Sequence, residues 1–239
     1  MDRVYGEKYR DLYQNHWWWR ARTELIVDKL RRMQRAERRE TILDVGCGDA
    51  LFFDRLAQFG EVEGVEPCAE LIDPGNRHRA RIHIGPFDES FQPARKYSLI
   101  LMLDVLEHLD DPVNALRRVS ELLEVNGTFV ATVPAYMALW TNHDVLNHHM
   151  TRYTRHTLHE IVDQTDLRIQ EGRYFYYWTC PVKLAVGAIE RIFRSEPQPP
   201  KIPARWVNEL LYQVSRMEQR ILTPLSMPFG SSLLIVAKK

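Results

Sequence analysis

Asp44-Val45-Gly46-Cys47-Gly48-Asp49-Ala50 closes a short apolar run that begins at Thr41. The run has the length and composition of a strand, and the glycines that end it mark a sharp turn. Glycine at 46 and 48 lets the backbone take angles other residues avoid and lie close against a ligand. A dinucleotide fingerprint, G-x-G-x-x-G, would need a third glycine at 51, where Leu51 stands, so NAD is disfavoured. Leu51 to Phe59 has helical spacing, and Glu61 to Val65 reads as a second strand ending in Glu66. A carboxylate at that place can accept hydrogen bonds from two ribose hydroxyls. A plain tight turn without a ligand is the alternative for two glycines alone; the following helix and the spaced acid weigh against it.

The same alternation continues outward. Ile82 to Ile84, Tyr97 to Leu103 and Gly127 to Val133 read as strands, with a helix over Pro112 to Leu123. Strands alternating with helices imply a parallel sheet covered on both faces. Before the glycine turn, two amphipathic helices are expected, near Tyr5 to Asn15 and Arg20 to Arg38, the second with Leu25, Ile26, Leu30 and Met33 on one stripe. Its basic run, Arg31, Arg32, Arg35, Arg38 and Arg39, reads as a solvated face rather than a nucleic-acid contact. After Pro134 come a histidine-rich loop, a helix near Arg155 to Gln164 and a strand near Leu167 to Tyr177. A long insertion with the stiff connector Glu196 to Pro203 then precedes a closing strand within Gly230 to Lys239. The expected organisation is an N-terminal helical cap (1–40), a core (41–178 and 230–239) and a helical insertion (179–229).

At 239 residues with 45% apolar and 27% charged residues, the chain has the composition of one enlarged globular domain. Three cysteines and a start without an apolar signal core make a reducing cytoplasm the expectation. Lysines and arginines balance acids at 32 each, but residues 41–200 carry a surplus of acids. An acidic centre argues against a nucleic-acid cleft, which needs a basic face.

Ile42-Leu43-Asp44-Val45-Gly46-Cys47-Gly48, Val62-Glu63-Gly64-Val65-Glu66-Pro67, Leu103-Asp104-Val105-Leu106-Glu107-His108-Leu109-Asp110-Asp111-Pro112 and Leu122 to Val130 together resemble the class I S-adenosylmethionine-dependent methyltransferases. Ala50 stands where that family often has a further glycine. The resemblance implies an α/β fold with a doubly wound, mostly parallel seven-stranded sheet of Rossmann-like type, the last strand, Leu233 to Ala237, being antiparallel. It implies S-adenosylmethionine as cofactor, with Gly46, Cys47 and Gly48 presenting backbone to it, Asp44 orienting the turn and Glu66, beside Pro67, holding the ribose. Pro86 and Phe87 would border adenine, with Asp88 a less regular match, and Leu103 and Asp104 would line the sulfonium. An aromatic-arginine pattern like Trp17-Trp18-Trp19-Arg20-Ala21-Arg22 precedes the glycine motif in relatives, which makes Arg22 a candidate for the cofactor's carboxylate. Burial in the core is the other use of three tryptophans.

The family's Asn-Pro-Pro-Tyr type motif is absent and Leu106-Glu107-His108 takes its place, which resembles the small-molecule branch, including quinone-precursor O-methyltransferases. His108 is a candidate base or a helix cap. His143, His148, His149, His156 and His159 match no ligand signature, so no metal is expected; Glu107 with His108 is the pair that could contact a divalent ion. His143-Asp144 with His149-Met150-Thr151-Arg152-Tyr153-Thr154 resembles a motif beside the substrate pocket in that branch, which favours His149 and His143 as catalytic residues over a purely structural network. The expected reaction is methyl transfer to a hydroxyl, or else an amine or carboxylate, of a small-molecule or lipid-linked acceptor. The rival is a noncatalytic protein that keeps the fold and binds the cofactor or a protein partner.

Tyr174 to Ile189 is apolar but interrupted by Pro181 and Lys183, short of a membrane span. A helix from Val182 to Arg194, with Leu184, Ala188 and Ile192 on one side and Lys183, Arg191 and Arg194 for phosphate headgroups, leaves three roles open: pocket cap, homodimer contact, or peripheral membrane contact. Each sets apolar surface beside the acceptor, so an acceptor with an apolar portion is expected.

Overall fold

The computed structural model describes residues 3–34, 39–194, 196–222 and 227–239. Arg35 and Arg38 of the basic run lie outside them. Two helices open the chain, α1 (Arg3–Asn15) and α2 (Trp17–Met33), separated by His16, whose Nδ1 accepts from the Trp18 N–H and caps α2. The strands are β1 (Glu40–Val45), β2 (Gly60–Glu66), β3 (Ile82–Ile84), β4 (Tyr97–Leu103), β5 (Leu123–Pro134), β6 (Arg168–Phe175) and β7 (Ser232–Lys238). The helices among them are α3 (Phe53–Leu56), α4 (Pro112–Leu122), α5 (Asn142–Leu146), α6 (Arg155–Val162), α7 (Thr179–Phe193) and α8 (Arg205–Ile221).

The seven strands form one sheet in the order β3-β2-β1-β4-β5-β7-β6, parallel except for β7, which runs antiparallel to both β5 and β6. Alternate residues of each central strand feed opposite cores. Leu43, Val45, Ile100, Met102 and Phe129 pack with Leu116 and Val119 of α4 and Leu158 of α6, whereas Ile42, Leu99, Leu101 and Val130 pack with Ile26, Val27 and Leu30 of α2 and Phe53 of α3. This is the doubly wound sheet the alternation predicts. The order reverses between β1 and β4, so the carboxyl ends of those strands open the crevice where such sheets bind ligands.

Several boundaries differ from the sequence expectation for local reasons. The helix expected over Leu51 to Phe59 is only the single turn Phe53–Leu56: Ala50 is left-handed at φ 55°, and Asp49 is drawn aside to the Asp73 N–H and Asn76. Strand β5 starts at Leu123 directly after α4, and β6 ends at Phe175 because Tyr176 is left-handed at φ 59°. Helix α7 starts at Thr179, with Pro181 taken into its first turn, where a missing N–H costs nothing. Helix α8 lies along α2, joined by Arg216 to Asp28 (2.6 Å), Gln219 to the Ala21 carbonyl (3.2 Å), and Asn208, which bridges Trp17 N–H and the Asn15 carbonyl.

Candidate active site

The glycine turn sits at the end of β1. Gly46 and Gly48 are left-handed (φ 72° and 53°), and a Cβ on Gly46 would come within 2.6 Å of Val105, so the turn needs glycine there. A Cβ on Gly48 would meet nothing within 4 Å, which leaves open space over that backbone for a ligand to lie against. Glu66, buried at the end of β2, accepts the Gly48 N–H at Oε2 and the Cys68 N–H at Oε1, both at 2.9 Å. Each oxygen keeps a second lone pair, which is what a ribose diol requires. Burial pushes the Asp44 carboxyl up to about 7, against the pull of Arg22 and with the charge of Glu66 adding to the rise. Burial also raises the Cys47 thiol far from ionisation, so Cys47 offers backbone and no nucleophile.

Arg22 reaches the same crevice from α2. It is buried, its Nη2 donates to Asp104 Oδ2 (2.7 Å), and its Nε–H has no partner among the described residues. Asp104 is left-handed at φ 59° and also accepts from Thr132 Oγ1 (3.0 Å). Leu103, the last residue of β4, is half-buried beside it. Trp18 stacks on Tyr176 and Trp19 packs edge-on to His16, so the tryptophans of α2 knit that helix to its neighbours while Trp18 faces the Arg22 guanidinium. Pro67 and Pro86 are exposed at the strand ends, Phe87 is half-buried against Phe91, and Asp88 is exposed, held by Ser90.

The second half of the site is histidine-rich. Asp144, fully buried in α5, is held by the Thr141 N–H (2.9 Å) and by Arg152 through Nε (2.8 Å) and Nη2 (3.1 Å), and it meets His149 Nδ1 at 2.8 Å. Burial alone would raise the Asp144 carboxyl, but the His149 hydrogen bond and the Arg152 guanidinium hold it well below the usual carboxylate range. Asp144 therefore stays charged and keeps the proton of a neutral His149 on Nδ1, leaving Nε2 as the basic nitrogen. His143 is a different group: burial and Lys183 push it down to about 3, which suits hydrogen bonding and not proton uptake. The ring of His108 stands edge-on to His149, centroids 4.8 Å apart. It does not cap α4; Asp111 does, accepting the Asn114 N–H at 3.0 Å. His156 and His159 are exposed on α6, away from this cluster.

Glu107, paired with His108 in the sequence reading, has a setting that the sequence does not show. It is fully buried, and among the described residues neither carboxyl oxygen has a hydrogen-bond partner. Burial, with Asp104 adding, pushes its carboxyl well above the usual range. The ligand atoms of Glu107, His108 and His149 lie within 4.8 Å of one another, a set able to take a divalent cation or to share a proton. Asp104 is the hinge of the whole site, since it pairs with Arg22 on the glycine-turn side and acts electrostatically on Glu107 and His108 on the other.

A group held above its unfolded pKa contributes stability that is complete below about pH 4.3 and is lost as pH rises through its folded value. Glu107→Gln is thus expected to melt higher than the parent above pH 5, the difference vanishing near pH 4. Parallel melting curves from pH 4 to 9 would show that Glu107 is not held protonated.

The family model of a methyltransferase domain matches residues 18–171. The chain belongs to the S-adenosylmethionine-dependent methyltransferase family. The methyltransferase is 30% identical over 96 residues to ubiquinone biosynthesis O-methyltransferase of Rhodopseudomonas palustris, covering 37% of this chain and 38% of that protein. It is 23% identical over 143 residues to the mitochondrial ubiquinone biosynthesis O-methyltransferase of Candida albicans, covering 54% and 44%. This methyltransferase therefore spans less than half the length of both relatives. Among solved structures, an S-adenosylmethionine-dependent methyltransferase from Clostridium acetobutylicum superposes with a TM-score of 0.60 at 12% identity, covering 98% of this chain and 97% of that one. Its cofactor is S-adenosylmethionine, and the residues present fit that group: lone pairs remain on Glu66, the space over Gly48 is open, and the buried Nε–H of Arg22 lacks an acceptor.

Proposed function

We propose that this methyltransferase moves the methyl group of S-adenosylmethionine to a hydroxyl of a small-molecule or lipid-linked acceptor with an apolar portion, His149 receiving the hydroxyl proton. The observation that carries this reading is the Asp144–His149 pair, a buried charged carboxylate holding an imidazole whose second nitrogen is basic. When bound, the cofactor supplies a methyl group already activated by its sulfonium. The chain's own tasks are then to orient, to exclude water and to hold a proton. Glu66 and the Gly46–Gly48 backbone fix the ribose end, and Arg22 offers its Nε–H to the carboxylate. Asp144 positions His149, whose Nε2 takes the proton as the acceptor oxygen forms its bond to carbon and the carbon–sulfur bond breaks. The sequence likeness to ubiquinone O-methyltransferases supports a hydroxyl acceptor.

Replacing Glu66 with alanine is expected to weaken cofactor binding by about 1.5–3 kcal/mol, the usual loss when hydrogen bonds to a charged acceptor are removed. Calorimetric titration with S-adenosylmethionine reads this directly, and unchanged affinity would take Glu66 out of the site. A second reading is favoured by the unpartnered oxygens of Glu107: a divalent cation held by Glu107, His108 and His149 would place positive charge beside the acceptor hydroxyl. Loss of turnover in EDTA, restored by added Mg²⁺ or Mn²⁺, separates it from a metal-free base.

A further inference from the structure

Helix α7 is amphipathic the wrong way round for a pocket cap. The side that meets the protein carries Thr179, bonded to the Tyr176 carbonyl (2.7 Å), the buried Cys180, Gly187 close under the Trp140 carbonyl, and Glu190, which accepts the Asn142 N–H at 2.7 Å. Lys183, half-buried on that same side, acts electrostatically on Asp144 and Arg152. Every solvent-exposed position from Pro181 to Phe193, apart from Arg191, is apolar. Ile189 is 54% exposed, Ile192 72% and Phe193 75%. Arg194, also exposed, follows directly. Helix α8 repeats the pattern: Asn208, Ser215, Arg216 and Gln219 face inward, while Trp206, Leu210, Met217 and Ile221 form an outward stripe at helical spacing.

We propose that the outward face of α7 lies on an anionic lipid surface. Charge selects that occupant. The exposed charges of the helix and its C-terminal end, Arg191 and Arg194, are both cations, and its one acid, Glu190, is turned inward onto Asn142. On α8 the exposed Arg205 and Arg220 stand near the two ends of the stripe, and the exposed Glu209 is paired with Arg20. An apolar stripe bordered by arginines, with tryptophan exposed on the neighbouring helix, matches the boundary between phosphate headgroups and acyl chains. At 15 residues α7 is about 22 Å long. That is short of a bilayer span, and among the described residues no helix is long and apolar enough to cross a membrane. The inner face of α7 rests on Trp140 to Asn142, next to His143, so docking this way turns the histidine side of the site toward the lipid. That consequence rests on the methyl-transfer reading; lipid binding itself does not.

Vesicle flotation tests it, with phosphatidylcholine alone and with phosphatidylcholine containing phosphatidylglycerol, at low and high salt. The parent chain is expected to float with the anionic vesicles, less so in high salt. The double variant Ile192→Glu, Phe193→Glu should lose roughly tenfold or more of that partitioning, and Arg191→Gln with Arg194→Gln should lose its salt-sensitive part. Unchanged cofactor affinity in these variants shows that they fold and that the glycine-turn site is intact. No flotation with anionic vesicles in low salt overturns the proposal. So does a concentration-dependent dimer in light scattering that the glutamate variant abolishes, because a second copy would then cover the face.

Discussion

His149→Ala is expected to lower turnover by roughly 10²- to 10⁴-fold, the range of general-base contributions, while leaving S-adenosylmethionine affinity within a factor of about two. The split follows from the geometry. His149 meets Asp144 and stands by His108 and Glu107, whereas the glycine turn and Glu66 belong to the other half of the crevice. Asp144→Asn adds a readout that a purely structural role would not move. An amide at 144 can present its NH₂ to Nδ1, which shifts the ring proton to Nε2 and removes the base, so turnover should fall while the basic limb of the pH–rate profile recovers part of it. Equal loss of turnover and of cofactor binding in His149→Ala, or a collapse of its melting temperature, would mean that the histidine only ties the loop down.

The largest stability effect is expected at Asp144 itself. Its removal by Asp144→Ala strands the Arg152 guanidinium, which is buried and, among the described residues, otherwise bonded only to the Ala135 carbonyl (2.9 Å). Breaking one side of a buried ion pair typically costs about 3–5 kcal/mol. For a chain of this size that is a melting-temperature loss of roughly 6–20 °C. The double variant Asp144→Leu, Arg152→Met should cost less than the sum of the two single changes, because no buried charge is left alone. Chemical denaturation of all four chains measures this, and strict additivity would show that the pair is not coupled. Since the Asp144 carboxyl is held low, its contribution is present above about pH 3.9, the value in the unfolded chain, and fades as pH falls through the lower folded value.

The strands were the most legible part of the chain because their signals are local. Tyr97 to Leu103 is apolar apart from Ser98, which is buried and bonded to Thr41, because β4 is buried on both faces, and Ile82 to Ile84 was readable even as an edge. Ala50 misled: helical spacing from Leu51 onward says nothing of a left-handed residue just before it, nor of Asp49 being drawn to Asp73 and Asn76 more than twenty positions away. In the site, the sequence offered Arg22 and Asp104 each as a candidate cofactor residue, but their mutual pairing brings together residues far apart in sequence. Asp144 was visible only as a neighbour of His143, since its value comes from Arg152 and Thr141 closing around it. Glu107 reads in sequence as a partner of His108 for a divalent ion; its burial with no hydrogen-bond partner among the described residues is what the sequence does not show. Helix α8 gave no clear signal of its own because its buried face is polar and its apolar stripe points out, the reverse of the pattern that periodicity assumes.

The place of β7 bears on how the molecule is made. Among the described residues strand β6 has no ladder partner except β7, which separates it from β5 across the sheet and is translated 56 residues after β6 is complete. While the ribosome is still adding α7 and α8, the β5 edge and the whole of β6 stand open, and the aromatic pair Tyr174 and Phe175 has no neighbouring backbone to register against. Vectorial synthesis thus leaves a nascent chain with a five-stranded sheet and an orphan strand, a species with an exposed edge that invites wrong pairing or chaperone capture.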